Sequence, residues 1–165
     1  MRLFIAIPLD GEVRRAALRL QREMQGRGVK GNFTWPENLH LTLAFIGEYP
    51  DPDAVLDAMA DAPFDPVGLR LSGIGAFGDL WWLGFEPNAA LDGYASALRR
   101  ALSHAGIPFD RKRFRPHVTL VRRAVLPSAG MPALSVPLAS MTAESAVLFR
   151  SDRGKDGMVY TEVGR

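Results

Sequence analysis

The 165 residues contain no cysteine, so no disulfide, thiolate metal site or thiol nucleophile can be built, and any chemistry has to run on oxygen and nitrogen groups. Histidine is nearly as scarce, with three copies. Long apolar runs are missing too. The apolar opening at residues 3–7 ends at Pro8 and Asp10, too short for a secretory core and far short of the ~20 residues of a membrane span. The expectation is a soluble, cytoplasmic, monomeric protein with no membrane partner. Charge of one sign is not in excess overall: twenty Lys and Arg face eighteen Asp and Glu, so the pI near 9.3 matters only where cations are concentrated. What is present is a 47% hydrophobic chain, ample for one buried interior and the size of one domain.

Hydrophobic periodicity writes one order of elements twice. Residues 2–8 read as a buried strand. Asp10 can cap a helix whose apolar stripe is Val13, Ala16, Ala17, Leu20 and Met24, stopped by Gly26 and Gly28. Residues 39–45 then alternate, with Leu39, Leu41, Leu43 and Phe45 on one face and His40, Thr42 and Ala44 on the other. In the second half, residues 80–85 read as a strand and Asn88 as a cap. The next helix carries Leu91, Tyr94, Ala95, Leu98, Leu102 and Ala105 and ends at Gly106. Residues 115–121 form the second polar strand, with His117, Thr119 and Val121 opposite Val118 and Leu120. Phe4 precedes His40 by 36 residues and Trp82 precedes His117 by 35, so the polar strands occupy matching places. Between the units, residues 52–60 suit a short helix and 67–72 a strand leading into a turn at Gly73-Ile74-Gly75. Residues 134–141, 143–150 and 158–163 suit strands, with turn signals at Asp152-Arg153-Gly154 and Asp156-Gly157. The expected architecture is α+β: residues 1–165 as one domain of two similar, pseudo-symmetric lobes, each a mainly antiparallel sheet flanked by helices, facing each other across a cleft.

Two matches to one pattern carry the chemistry, His40-Leu41-Thr42-Leu43 and His117-Val118-Thr119-Leu120. With five threonines in the chain, a given histidine has roughly a 3% chance of a threonine two places on, and two of three matching by accident is roughly a 0.3% event. Taken singly, either histidine would read as a surface or hydrogen-bonded core residue. Residues i and i+2 of a strand project from one face, so each strand presents an imidazole beside a hydroxyl. Two such strands face to face can flank one phosphorus with a base on one side and an acid on the other, and a neutral and a charged imidazole coexist near neutral pH. No metal or other cofactor is required by that scheme. Zinc would need a third or fourth ligand, and no acidic or histidine partner stands at metal spacing from either motif. His104, near the end of the second helix, suits the helix dipole and reads as structural.

Arg111, Lys112, Arg113, Arg115, Arg122 and Arg123 place six of the twenty basic residues within thirteen positions. Phosphate is the natural guest of such a cluster, although a solvated loop would have the same composition. Arg115 and Arg122 flank the histidine strand and are the candidates for phosphate contact. Phe45 and Phe114 can stack on a base, with core packing the expected role for Phe45. Trp81 and Trp82 fit either core or cleft.

The segments His40-Leu-Thr-Leu-Ala-Phe-Ile-Gly-Glu48 and Arg115-Pro-His-Val-Thr-Leu-Val-Arg122, together with the opening Arg2-Leu-Phe-Ile-Ala-Ile7, resemble the paired H-x-T-x motifs of the 2H phosphoesterases, and within them the RNA 2′,3′-cyclic phosphodiesterases historically called 2′-5′ RNA ligases. The resemblance covers nearly the whole chain and is least diagnostic after about residue 126. It implies a bilobal fold and metal-independent hydrolysis of RNA 2′,3′-cyclic phosphodiester ends to 2′-phosphomonoesters. It implies His40 as proton donor to the leaving 3′ oxygen, His117 as proton acceptor from water, and Thr42 and Thr119 as holders of phosphoryl oxygens. The near symmetry of the motifs gives the residues themselves no means of ordering donor and acceptor. The implied partner is RNA with a 2′,3′-cyclic phosphate end, including tRNA fragments or cyclic nucleotides. Two other readings use the same residues: end-joining through a 2′-5′ bond by the reverse reaction, and an RNA-binding module in which the histidines only hydrogen-bond phosphate.

Overall fold

A computed structural model describes residues 1–165. The chain opens with strand β1 (Arg2–Pro8), five of whose residues are buried, as its unbroken apolar run requires. Helix α1 (Gly11–Gly26) follows, with the Asp10 side chain accepting from the Gly11 amide, and buries Val13, Ala16, Ala17, Leu20 and Met24 along one stripe. Strand β2 (Lys30–Phe33) and a short 3-10 turn (Pro36–Asn38) lead into β3 (His40–Glu48). Helix α2 (Pro52–Ala60), capped by Asp51, precedes the hairpin of β4 (Val67–Phe77) and β5 (Leu80–Phe85). Helix α3 (Ala89–His104) is capped by Asn88, whose side chain accepts from the Leu91 amide, and leads to β6 (His117–Val125). Strands β7 (Ser140–Ala143), β8 (Val147–Arg153) and β9 (Met158–Gly164) complete the chain.

All strand pairs are antiparallel, in the order β7-β4-β5-β6-β3-β1-β8-β9, with β2 added on β6. The two halves, β3-β1-β8-β9 and β7-β4-β5-β6, meet at one pair, Leu41 with Val118. Leu41 and Val118 are both fully buried and belong to the same apolar cluster as the inward residues of all three helices, so the halves share one core. The opposite face of this seam carries the motif histidines and threonines, all half-buried.

Both motif strands break their alternation at the same place. Pairing of β1 with β3 slips by one residue between Ala6↔Thr42 and Ile5↔Ala44, which leaves Leu43 as an extra residue. Pairing of β5 with β6 slips between Trp82↔Thr119 and Trp81↔Val121, which leaves Leu120 extra. Each bulge lies three residues beyond its histidine and reverses the inside-outside phase of the residues that follow it, up to a second slip at Ile46 in β3 and one beyond Arg122 in β6. Two expectations are corrected by this. Phe45 leaves the core face and is 36% exposed, with Ala44 buried in its place, and Val121 turns inward to full burial rather than sharing the face of His117.

Other expectations yield to tertiary contacts. There is no turn at Gly73-Ile74-Gly75: β4 runs through it to Phe77, with a register slip between Leu71 and Ile74. Gly75 serves close approach instead, because a Cβ there would collide with the Trp82 ring. Residues 134–139 are irregular, interrupted by Pro137, which has no amide to pair, and β7 begins only at Ser140. Strand β8 starts at Val147 and carries Asp152 and Arg153, so its turn falls later than expected. Strand β2 has no alternating pattern of its own and exists through pairing with β6.

Candidate active site

His40 opens β3 and His117 opens β6, on neighbouring strands of the seam. Extending the antiparallel register from Leu41↔Val118 sets His40 beside Thr119 and Thr42 beside His117, so the two imidazoles lie on a diagonal with the hydroxyls between them. Each ring is held in the same way. His40 Nδ1–H donates to the carbonyl of Asn38 (2.6 Å) and His117 Nδ1–H to that of Arg115 (2.5 Å), in each case two residues back along the chain. A carbonyl only accepts, so Nδ1 carries hydrogen in both rings and Nε2 is the nitrogen free for chemistry. Nε2 of His40 already pairs with Thr42 Oγ1 at 2.9 Å. Asn38 is buried and tied down through its own side chain, which donates to the carbonyl of Met158 (2.9 Å).

The surroundings of the rings differ. His40 packs against Phe4 (centroids 5.0 Å apart) and edge-on to Tyr160 (5.4 Å). His117 packs edge-on to Phe77 (5.2 Å), with Trp82 behind it at 6.2 Å. Trp82 thereby backs the site, while Trp81 packs on the core. Burial pulls the His40 imidazolium down to about 4, aided by the charges of Arg122 and His117 and opposed by the bond to Asn38. Burial also lowers His117, again with Arg122 contributing and the bond to Arg115 opposing. Arg122 therefore bears on both rings.

A cavity of about 570 Å³ is lined by His40, His117, Thr42, Thr119, Arg115 and Arg122 together. All six residues singled out from the sequence thus face one space. Phe114 lines it as well, and so do Phe45 and Phe77, two exposed aromatic rings. Arg115 lies over the Phe77 ring (5.9 Å to the centroid). No pattern signals Phe77, Phe4 or Tyr160: they come from separate strands and reach the site only through the sheet order. No three His, Cys, Asp or Glu side chains converge anywhere in the fold. The arrangement offers two imidazoles, two hydroxyls and the guanidinium groups of Arg115 and Arg122 around one space, which is the equipment for holding a phosphate and moving protons to and from its ester oxygens.

The chain is similar to known proteins along most of its length. Residues 13–155 match the model of the 2′-5′ RNA ligase superfamily. An RNA 2′,3′-cyclic phosphodiesterase of Thermus thermophilus is 34% identical, with 98% of this chain and 87% of the relative aligned. One of Geobacillus stearothermophilus is 30% identical over 92% of this chain, which spans about half (52%) of that relative's length. Among solved structures, apo LigT of E. coli superposes with a TM-score of 0.78 at 27% identity, covering 99% of this chain and 95% of LigT.

Proposed function

The chain belongs to the 2′-5′ RNA ligase superfamily, and from that membership we propose that it hydrolyses RNA 2′,3′-cyclic phosphodiester ends to 2′-phosphomonoesters by acid and base catalysis between His40 and His117. The observation that carries the reading is the matched anchoring of the two rings, each with Nδ1–H on a backbone carbonyl and each lining the same cavity. A binding module has no need of two imidazoles held in one tautomer.

In the reaction, Nε2 of His117 takes a proton from water as its oxygen bonds to phosphorus. The bond from phosphorus to the 3′ oxygen breaks, and Nε2–H of His40 protonates that oxygen. The products are a 2′-phosphomonoester and a 3′-hydroxyl. Thr42 and Thr119 donate to the non-bridging oxygens, and Arg122 and Arg115 offset the phosphate charge. The ring assigned as acid is the one more strongly held neutral in the free protein. The bound phosphodiester anion supplies the missing stabilisation, since a negative charge between the rings counters Arg122 and favours an imidazolium. A 2′,3′-cyclic phosphate exists only where a ribose 2′-hydroxyl was present, so the chemistry itself selects RNA. E. coli LigT forms complexes with phosphate and with 3′-AMP, ligands of the chemistry proposed for this chain.

The superfamily description favours a second reading of the same site: an RNA 5′-hydroxyl replaces water as nucleophile, and opening the cyclic phosphate yields a 2′-5′ linkage. The test is hydrolysis of a short RNA ending in a 2′,3′-cyclic phosphate, in EDTA, with identification of the phosphomonoester. Turnover to the 2′-phosphate that disappears in His40→Ala and His117→Ala supports the assignment. Binding that survives both substitutions with no turnover by the wild type would instead favour the binding module. Adding an RNA with a 5′-hydroxyl separates joining from hydrolysis.

A further inference from the structure

Beyond Arg122, on the side away from His117, lies a second trench of about 750 Å³ between β2, the turn at residues 35–38 and the β8–β9 hairpin. Arg122 and Arg123 both line it. Adjacent residues of a regular strand point to opposite faces. Here the pairing of β6 with β2 slips between Arg122 and Val125, and Arg123, at φ 51°, is the one non-glycine residue with a left-handed backbone. Such conformations are unfavourable for a side chain of this kind and concentrate at ligand sites. Its effect is to turn two consecutive guanidinium groups into one trench.

The hairpin supplies Arg153 and Lys155 from the other side. None of these four cations has an ion-pair partner, whereas neighbouring Arg150 is paired with Asp152 at 2.9 Å. Half-buried Trp35 and Tyr160 line the same trench. Gly157 lets the hairpin close over Trp35, since a Cβ there would stand 3.0 Å from the indole ring. Tyr160 also touches His40, so the trench is continuous with the histidine site. On the opposite side Arg111 sits over the Phe109 ring at 4.3 Å, while Lys112, Arg113 and Arg115 belong to the histidine cavity itself, where the phosphate is held.

Resting on the phosphodiesterase reading, we propose that this trench binds the nucleotides immediately 5′ of the cyclic phosphate, so that the preferred substrate is a single-stranded RNA 3′ end several nucleotides long rather than a free cyclic mononucleotide. Unpaired cations that track a backbone beside aromatic faces are the means by which single strands are held without sequence preference. A 3′ end seated between the histidines has one strand leaving it, and Arg122 is the residue shared by the two spaces.

The experiment compares kcat and KM for a 2′,3′-cyclic mononucleotide and for a hexanucleotide with the same cyclic end, in the wild type, in the Arg153→Glu/Lys155→Glu double variant and in Arg123→Gly. Wild type is expected to show a KM at least tenfold lower for the hexanucleotide. That advantage should shrink by roughly 5–20-fold between 50 and 200 mM salt, as for two to three single-strand phosphate contacts. The double variant should lose the advantage and keep mononucleotide turnover within about twofold. Arg123→Gly should lose part of the advantage while melting at a higher temperature, because glycine accepts the left-handed backbone. Equal KM values for the two substrates in wild type, or an advantage retained in both variants, overturn the trench and leave the phosphodiesterase reading standing. No turnover of either substrate by wild type overturns both.

Discussion

The guanidinium of Arg99, in α3, donates to the carbonyl of Leu43, the bulged residue of β3, through Nη2 at 3.2 Å and Nε at 3.4 Å. Its other terminal nitrogen donates to the carbonyl of Lys112 (2.8 Å), and Phe109 and Phe114 lie within 5.7 Å of it. One side chain thus ties the basic loop to the strand that carries His40, Thr42 and Phe45. The other half mirrors it. Buried Gln21, in α1, donates from Nε2 to the carbonyl of Leu120 (3.0 Å), the bulged residue of β6. Each helix holds the bulge of the opposite half's motif strand.

Arg99→Met and Gln21→Leu are therefore expected to destabilise the fold by about 1–3 kcal/mol each, the usual size when a buried polar group loses its partner. They should also lower kcat several-fold with little change in KM for a cyclic mononucleotide, with Arg99→Lys recovering part of the loss. Denaturant unfolding and steady-state kinetics on the same preparations check this. Unaltered kcat in both would show that the bulges hold their shape unaided.

His40→Ala and His117→Ala should each reduce turnover by roughly 10²–10⁴-fold, the range for loss of a general acid or base, with circular dichroism unchanged. Thr42→Ala and Thr119→Ala remove one donor each and should cost less. A threonine variant more damaged than the histidine variants would contradict the division of roles.

Both histidines lie below their ordinary value in the free protein, His40 at about 4. At pH 7 both are mainly neutral, yet the reaction needs one proton on the pair. Binding of sulfate, a phosphate-like anion with no ionisation of its own near neutral pH, should then draw a proton from solution. Titration calorimetry in buffers of different ionisation enthalpy would measure uptake approaching one proton at pH 7. Uptake near zero would mean that the acid is already protonated in the free state. The same shifts place the optimum of kcat/KM between about pH 4 and 6.5, falling on both sides.

Those shifts also couple stability to pH. A histidine whose folded value lies below its unfolded value is neutral when buried, so its penalty is absent above the unfolded value of about 6.5 and grows as pH falls toward 4, where the unfolded chain binds more protons. For His40 the shift corresponds to about 3 kcal/mol lost across that window. Unfolding free energies at pH 7 and pH 4.5 should differ markedly in wild type and less in His40→Ala. Equal slopes in the two proteins would place His40 in a solvated setting.

Local pattern in the sequence was enough for the three helices, because caps and apolar stripes act over a few residues: Asp10 and Asn88 cap as their positions suggest, and residues 52–60 form α2. It was enough also for the histidine and threonine pairs, since two-residue spacing in a strand holds until something interrupts it. Tertiary structure alone decided the phase of each strand beyond its motif. Alternation predicts Phe45 inside and Val121 outside, and one extra residue at Leu43 and at Leu120 reverses both. Those bulges have no signature in either strand; their carbonyls accept hydrogen bonds from Arg99 and Gln21 of distant helices. The same holds for Tyr160, Phe4 and Phe77 around the rings, for the strand β2, and for Arg123. Their neighbours lie tens of residues away along the chain, and only the packed sheet brings them together.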